Sequence, residues 1–444
     1  MSLPVMPTRI MVVGGGGREH ALAWKLAAEP GVNEVVVAPG SEGISAEARV
    51  LSVPVPEGSS KAIVALARSR SSELVVVGPE APLAAGLADA LIEAGIAVFG
   101  PTRDAARLEA SKAFCHEVAA SAGVPMAVAV VAATRDEAVR AIDAIAARGS
   151  GFVVKEDGLA AGKGVTVFEA DDGRSAANGV IEDVFDRDPA ARIVVEERLI
   201  GREASVIAIC DGQRAIALPA ARDHKRLLDG DTGPNTGGMG AYSPLPDLDD
   251  AAVEGIIQAI HLPLLAEMAR RGTPFRGFLY AGLMLTADGP RLLECNVRLG
   301  DPEAQVILPR LAGPLGPILR AAAAGRLPRE LPPRLPAVRT AAVGIVLAAP
   351  GYPAGKSNGA PISGLDEAAA EGSLVFHAGT RRATGGRWET NGGRILTVVG
   401  RGADLDAARA VAERAADRIS FDGVRRRHDI ATDPAVPQPV GAGR

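Results

Sequence analysis

The stretch Arg9–Ala28, RIMVVGGGGREHALAWKLAA, decides the fold. An apolar run, Arg9–Val13, leads into Gly14–Gly17, and Arg18–Ala28 then reads as a helix. Strand, glycine turn and helix open a βα unit, and the pattern recurs. Glu34–Val37 is a second strand and Lys61–Arg68 a helix. Leu74–Val77 is a strand ending in Gly78-Pro79-Glu80, Leu83–Glu93 a helix, and Ile96–Phe99 a strand. Such alternation implies a parallel, doubly wound sheet. Ligands to these sheets sit at the carboxyl ends of the strands, where Gly14–Gly17 and Gly78-Pro79-Glu80 both lie. Free N–H groups and the helix dipole suit a phosphate there, although a tight turn without a ligand would read the same. A nicotinamide cofactor fits poorly. The third fingerprint position is Glu19 or His20, and the second strand ends Val37-Ala38-Pro39 without the acid that holds a ribose.

Beyond Gly100-Pro101, Leu108–Phe114 opens another helix with Lys112 near its start. That is the unfavourable end for a cation, which points to an anionic partner elsewhere, although a solvated lysine is the commoner explanation for any one such residue. Residues 126–200 read as a small inserted module. Its strand Phe152–Lys155 and strand Val165–Phe168 flank EDGLAAGKG, residues 156–164. So many small residues make a hairpin flap whose backbone can approach a ligand closely. Lys155 and Lys163 flank the flap and suit nucleotide phosphates; a plain surface hairpin is the alternative, though it would not need so many glycines and alanines. It is not a Walker loop, being one residue short and lacking the final Ser or Thr. Ile193–Leu199 is a strand followed by Gly201-Arg202-Glu203. His116-Glu117 lacks the second histidine of a zincin motif.

Asp223-His224-Lys225-Arg226 is a dense polar cluster. The Gly/Asn/Thr-rich loop Asp231–Gly240 follows and is expected to lack structure of its own. Its glycines after Thr236 can turn successive N–H groups inward as an anion nest. Glu254–Arg270 is helical, and Gly277–Thr286 and Arg291–Cys295 form a hairpin around Asp288-Gly289. The stretch LLECNVRLGDPEAQ, residues 292–305, carries the chemistry. Leu292–Arg298 reads as a strand, on which Glu294, Asn296 and Arg298 share one face, and Cys295 and Val297 the other. A carboxylate, an amide and a guanidinium in one row fit a hard cation with an anion; a solvated edge strand is the plain alternative. Arg326–Pro336 reads as a linker. Ala341–Leu347, Leu374–Phe376 and Arg394–Val399 read as strands and Leu405–Arg418 as a helix, making a small α+β domain. The Pro/Gly/Ala-rich tail Asp433–Arg444 is expected to be disordered.

Length and composition agree. At about 100–200 residues per domain, 444 residues suggest three or four domains. With 48 basic and 53 acidic side chains, the net charge of −5 argues against a general nucleic-acid binder. The cysteines Cys115, Cys210 and Cys295 are scattered, which suits a reducing cytoplasm rather than a disulfide framework. No signal peptide and no membrane span are expected.

Taken together, these stretches resemble the phosphoribosylamine–glycine ligases (glycinamide ribonucleotide synthetases), an ATP-grasp family of purine synthesis. The resemblance runs from about Arg9 to Ile430. It is carried by GGGGREHA (14–21), LEASKAF (108–114), KEDGLAAGKGV (155–165), DHKR (223–226), DTGPNTGGMGAYSP (231–244), ECNVRLGDPE (294–303), FHAGT (376–380) and NGGR (391–394). The 231–244 segment is the most specific.

The resemblance implies an α/β multidomain protein. Its parts are a doubly wound domain at 1–107, an ATP-grasp α+β domain at 108–332 with a lid module at about 126–198, and a C-terminal α+β domain at 333–432, followed by the tail. It implies that Lys112, Lys155, Gly162 and Lys163 approach the ATP phosphates, that Glu196, Glu197 and Leu199 contact adenine, and that Glu203 holds the ribose. It puts Glu294 and Asn296 on Mg²⁺ or Mn²⁺. Asp223 and Arg298 would grip glycine, with Lys163, Arg298 and Asp223 as the catalytic set. Gly16, Gly17, Arg18, Glu19, Lys225, Thr236, Gly237, Gly238, Gly393 and Arg394 would bind substrate, including 5-phosphoribosylamine. A cytoplasmic monomer with a single activity is expected.

Glu156, Arg198, Ser41 and Leu227-Leu228 depart from the usual pattern. Three other readings remain: another ATP-grasp ligase, which would lack the 231–244 segment; a nicotinamide-dependent oxidoreductase; and a non-catalytic nucleotide-binding module.

Overall fold

Five parallel strands carry out the alternation of the first hundred residues: β1 (Arg9–Gly14), β2 (Glu34–Pro39), β3 (Val50–Ser52), β4 (Leu74–Val77) and β5 (Val98–Phe99). Their order is β3-β2-β1-β4-β5, so the winding reverses between β1 and β4. The valine runs of β2 and β4 are buried because helices cover both faces. The computed structural model describes residues 5–149, 151–159, 164–168 and 173–432. Gly162, Lys163 and the tail therefore lie outside the described residues.

Two expected helices are interrupted. Leu83–Glu93 is instead Glu80–Ala84 and Leu87–Glu93, separated at Gly86, whose φ of 88° leaves the helical region. The helix through Leu108–Phe114 breaks at Ser111, between Arg103–Ala110 and Lys112–Ser121. The Ser111 hydroxyl accepts from the Phe114 N–H at 3.1 Å and caps the second helix. Lys112 is thus its first residue.

The inserted module is a sheet of β6 (Ala129–Ala132), β7 (Phe152–Glu156), β8 (Val165–Phe168) and β9 (Ile193–Glu197), in the order β6-β9-β7-β8. Helices Arg135–Ala146 and Gly173–Arg187 close a separate small core around Ile142, Phe152, Phe168 and Phe185.

The chain continues through β10 (Arg202–Asp211), β11 (Ala215–Ala217), β12 (Arg222–Asp223), β13 (Arg226–Leu228), β14 (Thr232–Asn235), β15 (Gly240–Ser243), β16 (Arg276–Thr286) and β17 (Gly289–Asn296). A central antiparallel sheet runs β11-β10-β16-β17. The helical stretch 250–270 is long and apolar enough to cross a membrane by composition. However, Val253, Ile256, Ile260, Leu264 and Met268 are buried in the main core.

The last part holds β18 (Ala341–Ala348), β19 (Ser357–Pro361), β20 (Leu374–His377), β21 (Thr380–Arg382), β22 (Trp388–Gly392) and β23 (Arg394–Gly402). One sheet, β12-β15-β18-β23-β20, recruits two strands from the centre, with helix Leu405–Arg418 packed against β18 and β23. Residues 231–240 are therefore not a free loop, as the sequence suggested. β14 folds back on β13, and β15 pairs with β18 in register Gly240↔Ile345 to Ser243↔Ala342. The polar composition concealed strands whose partners are remote in sequence. The 326–336 linker is likewise strapped down: Asp211 accepts from the Leu327 N–H at 2.9 Å, and Arg214 donates to the Leu331 carbonyl at 3.2 Å.

Candidate active site

Glu294 and Asn296 stand on β17, but the strand ends at Asn296, so Arg298, expected on it, lies two residues beyond and meets the row through its side chain. The strand also carries a bulge. Leu283 pairs with Leu292 and Gly282 with Glu294, so Leu293 is the extra residue. Its carbonyl accepts from Lys155 Nζ at 3.0 Å. Glu294 and Asn296 lie side by side, with Nδ2 donating to Oε1 at 3.4 Å, and Arg298 donates to Asn296 Oδ1 at 3.5 Å. Cys295 and Val297 are buried on the other face. Burial opposes the charge on Glu294, but Lys225 and Lys155 outweigh it and hold its carboxyl below the usual range.

Arg298 reaches Glu109 at 2.8 Å, Glu80 at 3.3 Å and the Leu299 carbonyl at 3.2 Å. Burial works against its charge, and Glu109 and Glu80 overcome that, so its pKa rises. Glu109 also accepts the Val297 N–H at 2.7 Å. Desolvation nevertheless pushes its carboxyl upward.

On the module side, Lys155 Nζ sits 2.8 Å from Glu196 Oε2, and His116 Nε2 lies 2.8 Å from Glu196 Oε1. The Glu196 carboxylate is turned to these partners. Lys112 Nζ donates to the Gly158 carbonyl at 2.9 Å; burial lowers its pKa, with Glu294 opposing. Glu197 accepts from the Val128 N–H at 3.0 Å and from Arg148 at 2.9 Å. Leu199 is half-buried.

Lys225 joins the centre to this row. Its Nζ is 2.8 Å from Glu203 Oε2 and 3.9 Å from Glu294 Oε1. Desolvation pushes the Asp223 carboxyl up to about 8; Glu303, Glu203 and Glu294 add to the rise and Lys225 opposes it. Behind them, Ser205, Tyr280 and Glu303 form a buried triad, with Tyr280 donating to Glu303 at 2.9 Å.

The first domain closes the far end. The Glu19 carboxylate accepts the Gly16 N–H at 2.8 Å and the Arg18 guanidinium at 2.6 Å. It lies so close to Gly14 and Gly78 that a Cβ at either would sit 2.6 or 2.2 Å from it. Glu19 therefore occupies the reversal crevice between β1 and β4, which a dinucleotide would need open. Arg18 reaches the Leu299 carbonyl at 3.2 Å. Gly17 lies against Gln305, where a Cβ would meet Nε2 at 2.7 Å.

Arg394 donates to the Asp301 carbonyl at 2.6 Å, pairs with Asp301 Oδ2 at 3.2 Å, and also reaches the Gly237 carbonyl. Gly393 packs against the Tyr352 ring. The expected anion nest is not formed. The Gly237 N–H donates to the Tyr352 hydroxyl at 2.8 Å and the Gly238 N–H to Thr236 Oγ1 at 3.0 Å. Gly238 also allows close packing: a Cβ there would sit 2.5 Å from Pro302.

The departures have local partners. Glu156 pairs with Arg187 at 2.7 Å, and Ser41 accepts the Ile44 N–H at 3.3 Å. Leu227 is buried with Met239 and Ala348, whereas Leu228 is exposed. Glu80, Glu109, Glu303, Asp301 and His116 received no role from the sequence. Glu109 lies inside the quoted motif LEASKAF, and Asp301 and Glu303 inside ECNVRLGDPE, which was the available signal.

Family models cover most of the chain. The phosphoribosylglycinamide synthetase N domain matches residues 8–109, the ATP-grasp (A) domain residues 110–304, and the C domain residues 342–433. A phosphoribosylamine–glycine ligase from Streptomyces coelicolor is 49% identical over 432 residues, covering 96% of this chain and 99% of that protein. The crystal structure of a phosphoribosylamine–glycine ligase from Thermotoga maritima matches with a TM-score of 0.80 at 32% identity, covering 95% of this chain and 100% of that one. The biotin carboxylase domain of the Hydrogenobacter thermophilus 2-oxoglutarate carboxylase, solved with MgADP and bicarbonate, shares the fold. Its TM-score is 0.69 at 16% identity, covering 95% of this chain and 92% of that one.

Proposed function

The chain belongs to the phosphoribosylamine–glycine ligase family, and from that premise we propose how its residues divide the reaction. It is an ATP-grasp ligase that joins glycine to 5-phosphoribosylamine with ATP, giving glycinamide ribonucleotide in purine biosynthesis. In our reading, the glycine carboxylate attacks the γ-phosphate to give glycyl phosphate and ADP. The phosphoribosylamine nitrogen then displaces phosphate. Both nucleophiles are competent as they stand, so the protein supplies orientation and charge neutralisation.

Lys112 and Lys155, with Lys163 and Gly162 of the flap, steady the ATP phosphates. Glu196, Glu197 and Leu199 border the adenine, and Glu203 takes the ribose. Asp223 receives the glycine ammonium and Arg298 its carboxylate, with Lys225 between them and the row. Gly16, Gly17, Arg18, Glu19, Thr236, Gly237, Gly238, Gly393 and Arg394 hold phosphoribosylamine. The flap excludes water, which would otherwise hydrolyse the acyl phosphate.

Glu294 and Asn296 fit a hard divalent cation, Mg²⁺ or Mn²⁺. They offer two oxygens from one strand face, and Glu294 is held ionised. Among the described residues no group of three or more His, Cys, Asp or Glu forms a metal cage. A two-oxygen site suits a cation that keeps waters and phosphate oxygens as its remaining ligands. Bound there, it would neutralise charge on the transferring phosphoryl group. The three free cysteines are buried, which accords with work in the reducing cytoplasm; we take the enzyme to act as a monomer on small molecules.

One observation carries the reading. The segment from Leu293 to Asp301 touches Lys155 of the module, Glu80 and Arg18 of the first domain, and Arg394 of the last. A single strand end thus joins the three proposed subsites. The test is a coupled ADP-release assay with Mg²⁺, ATP, glycine and fresh phosphoribosylamine, each omitted in turn. Release should require all of them; release indifferent to glycine would overturn the assignment.

A further inference from the structure

His116 has no part in the scheme above, yet it ends a polar chain, through buried Glu196 and Lys155, that leads to the proposed ATP phosphate site. It lies four residues after Lys112 on helix Lys112–Ser121, so both side chains leave one face of that helix. Lys112 reaches the Gly158 carbonyl, and His116 reaches Glu196. A carboxylate only accepts, so the imidazole Nε2–H donates to Oε1. The other oxygen, Oε2, holds Lys155 Nζ, which also donates to the bulge carbonyl of Leu293.

The strand register explains the pairing. Lys155 stands opposite Val194 on β9, so Glu196 is its diagonal neighbour. Glu196 is 2% exposed, which leaves water no access to a freed oxygen.

We propose that His116 is a positioning residue for ATP, holding Glu196 so that only one of its oxygens engages Lys155 and the ammonium stays at the Leu293 carbonyl beside Glu294. Without the imidazole, Oε1 is orphaned in a dry site. A buried carboxylate in that condition turns to the nearest cation. Glu196 then takes Lys155 with both oxygens and draws the ammonium away from the phosphates. The inference rests on the reading of Lys155 as a phosphate ligand.

The test compares His116→Leu, His116→Gln and Lys155→Met by steady-state kinetics, with thermal denaturation to confirm folding. His116→Leu should raise KM for ATP about tenfold, the scale of one charge-assisted hydrogen bond, with kcat and KM for glycine within about twofold. His116→Gln returns an N–H donor to a similar position and should restore most of the loss. In the double variant, His116→Leu should add little to Lys155→Met, because the two act through one group. An unchanged KM for ATP in His116→Leu, an equal rise in KM for glycine, or a folded His116→Gln as poor as His116→Leu would each overturn the inference. If Lys155→Met itself leaves KM for ATP unchanged, the phosphate assignment fails as well. If Lys155→Met raises it while the His116 variants do not, only the role of His116 fails.

Discussion

Replacing Arg298 with methionine should cost stability as well as turnover, and the loss should depend on pH. The guanidinium is the shared counter-charge of Glu109, whose side chain is 8% exposed, and of Glu80, at 26%. Methionine keeps much of the volume and removes both ion pairs. Breaking a buried pair by deleting one partner costs about 3–5 kcal/mol, because an uncompensated charge stays behind. Against a typical total of roughly 5–15 kcal/mol, that is a large fraction.

The pH dependence follows from the carboxyls. Burial already raises Glu109 above its ordinary value. Between the unfolded and folded pKa values the native state holds a proton that the unfolded chain has lost, so stability falls as pH rises through that window. Deleting Arg298 widens the window. Glu80 behaves oppositely in the unaltered protein: Arg298 and Arg18 outweigh desolvation and lower its pKa. Its contribution is present above the unfolded pKa and is lost as pH falls through the folded one. Both effects make the gap between Arg298→Met and the unaltered protein widest at neutral to alkaline pH and narrower in acid. Urea denaturation at about pH 5 and about pH 8, followed by tryptophan fluorescence, measures it. Adding Glu109→Gln to Arg298→Met should recover part of the loss, since it neutralises the stranded group. A gap below about 1 kcal/mol, or one equal at both pH values, would refute the argument that Arg298 is held as a buried counter-ion.

Three other outcomes are expected. Glu294→Gln keeps the shape of the row but removes its negative charge, so it should lose turnover far more than it loses thermal stability; near-normal rates would remove the metal assignment. Asp223, pushed up to about 8, must be ionised to receive an ammonium, so kcat/KM for glycine should fall below that pH. A cation on Glu294 would move this limb to lower pH, and Asp223→Asn should abolish it. Gly238→Ala combines a φ of 107° with a Cβ 2.5 Å from Pro302, so it should destabilise by about 1–3 kcal/mol, read as a lowered Tm; an unchanged Tm would show that the segment relaxes freely.

How much of this was legible in the sequence depended on whether the deciding contacts were local. Period-two alternation was enough to put Glu294 and Asn296 on one face, although the strand stops at Asn296 and Arg298 joins the row from beyond its end. The valine runs and glycine turns were enough for the parallel sheet, because each strand carries its own signal. The 232–235 and 240–243 strands were missed because their identity comes from pairing with Arg226–Leu228 and with Ala341–Ala348. The breaks at Gly86 and Ser111 were missed for a related reason: an apolar helical period continues across both, and only the backbone angles reveal the interruption. Glu109 and His116 read as ordinary polar helix residues. Their importance comes from residues 188 and 80 positions away, a separation that no window of sequence spans.

The same long-range pairings bear on how the site works. Each cation proposed to meet an anionic ligand, among the described residues, already has an oxygen partner. Lys155 has Glu196, Lys225 has Glu203, Arg298 has Glu109 and Glu80, Arg394 has Asp301, and Lys112 has the Gly158 carbonyl. On the proposed assignments, substrate would enter by exchange with these partners. A phosphate or carboxylate gains only the difference between its own contact and the one it displaces, which favours modest affinity and fast release over tight binding. The exchange also links the subsites. If Glu203 turns from Lys225 to a ribose, Lys225 is freed toward Glu294 and Asp223, where glycine and the cation are expected. On these proposed assignments, occupation of the nucleotide site would change the charge balance of the glycine site through one lysine.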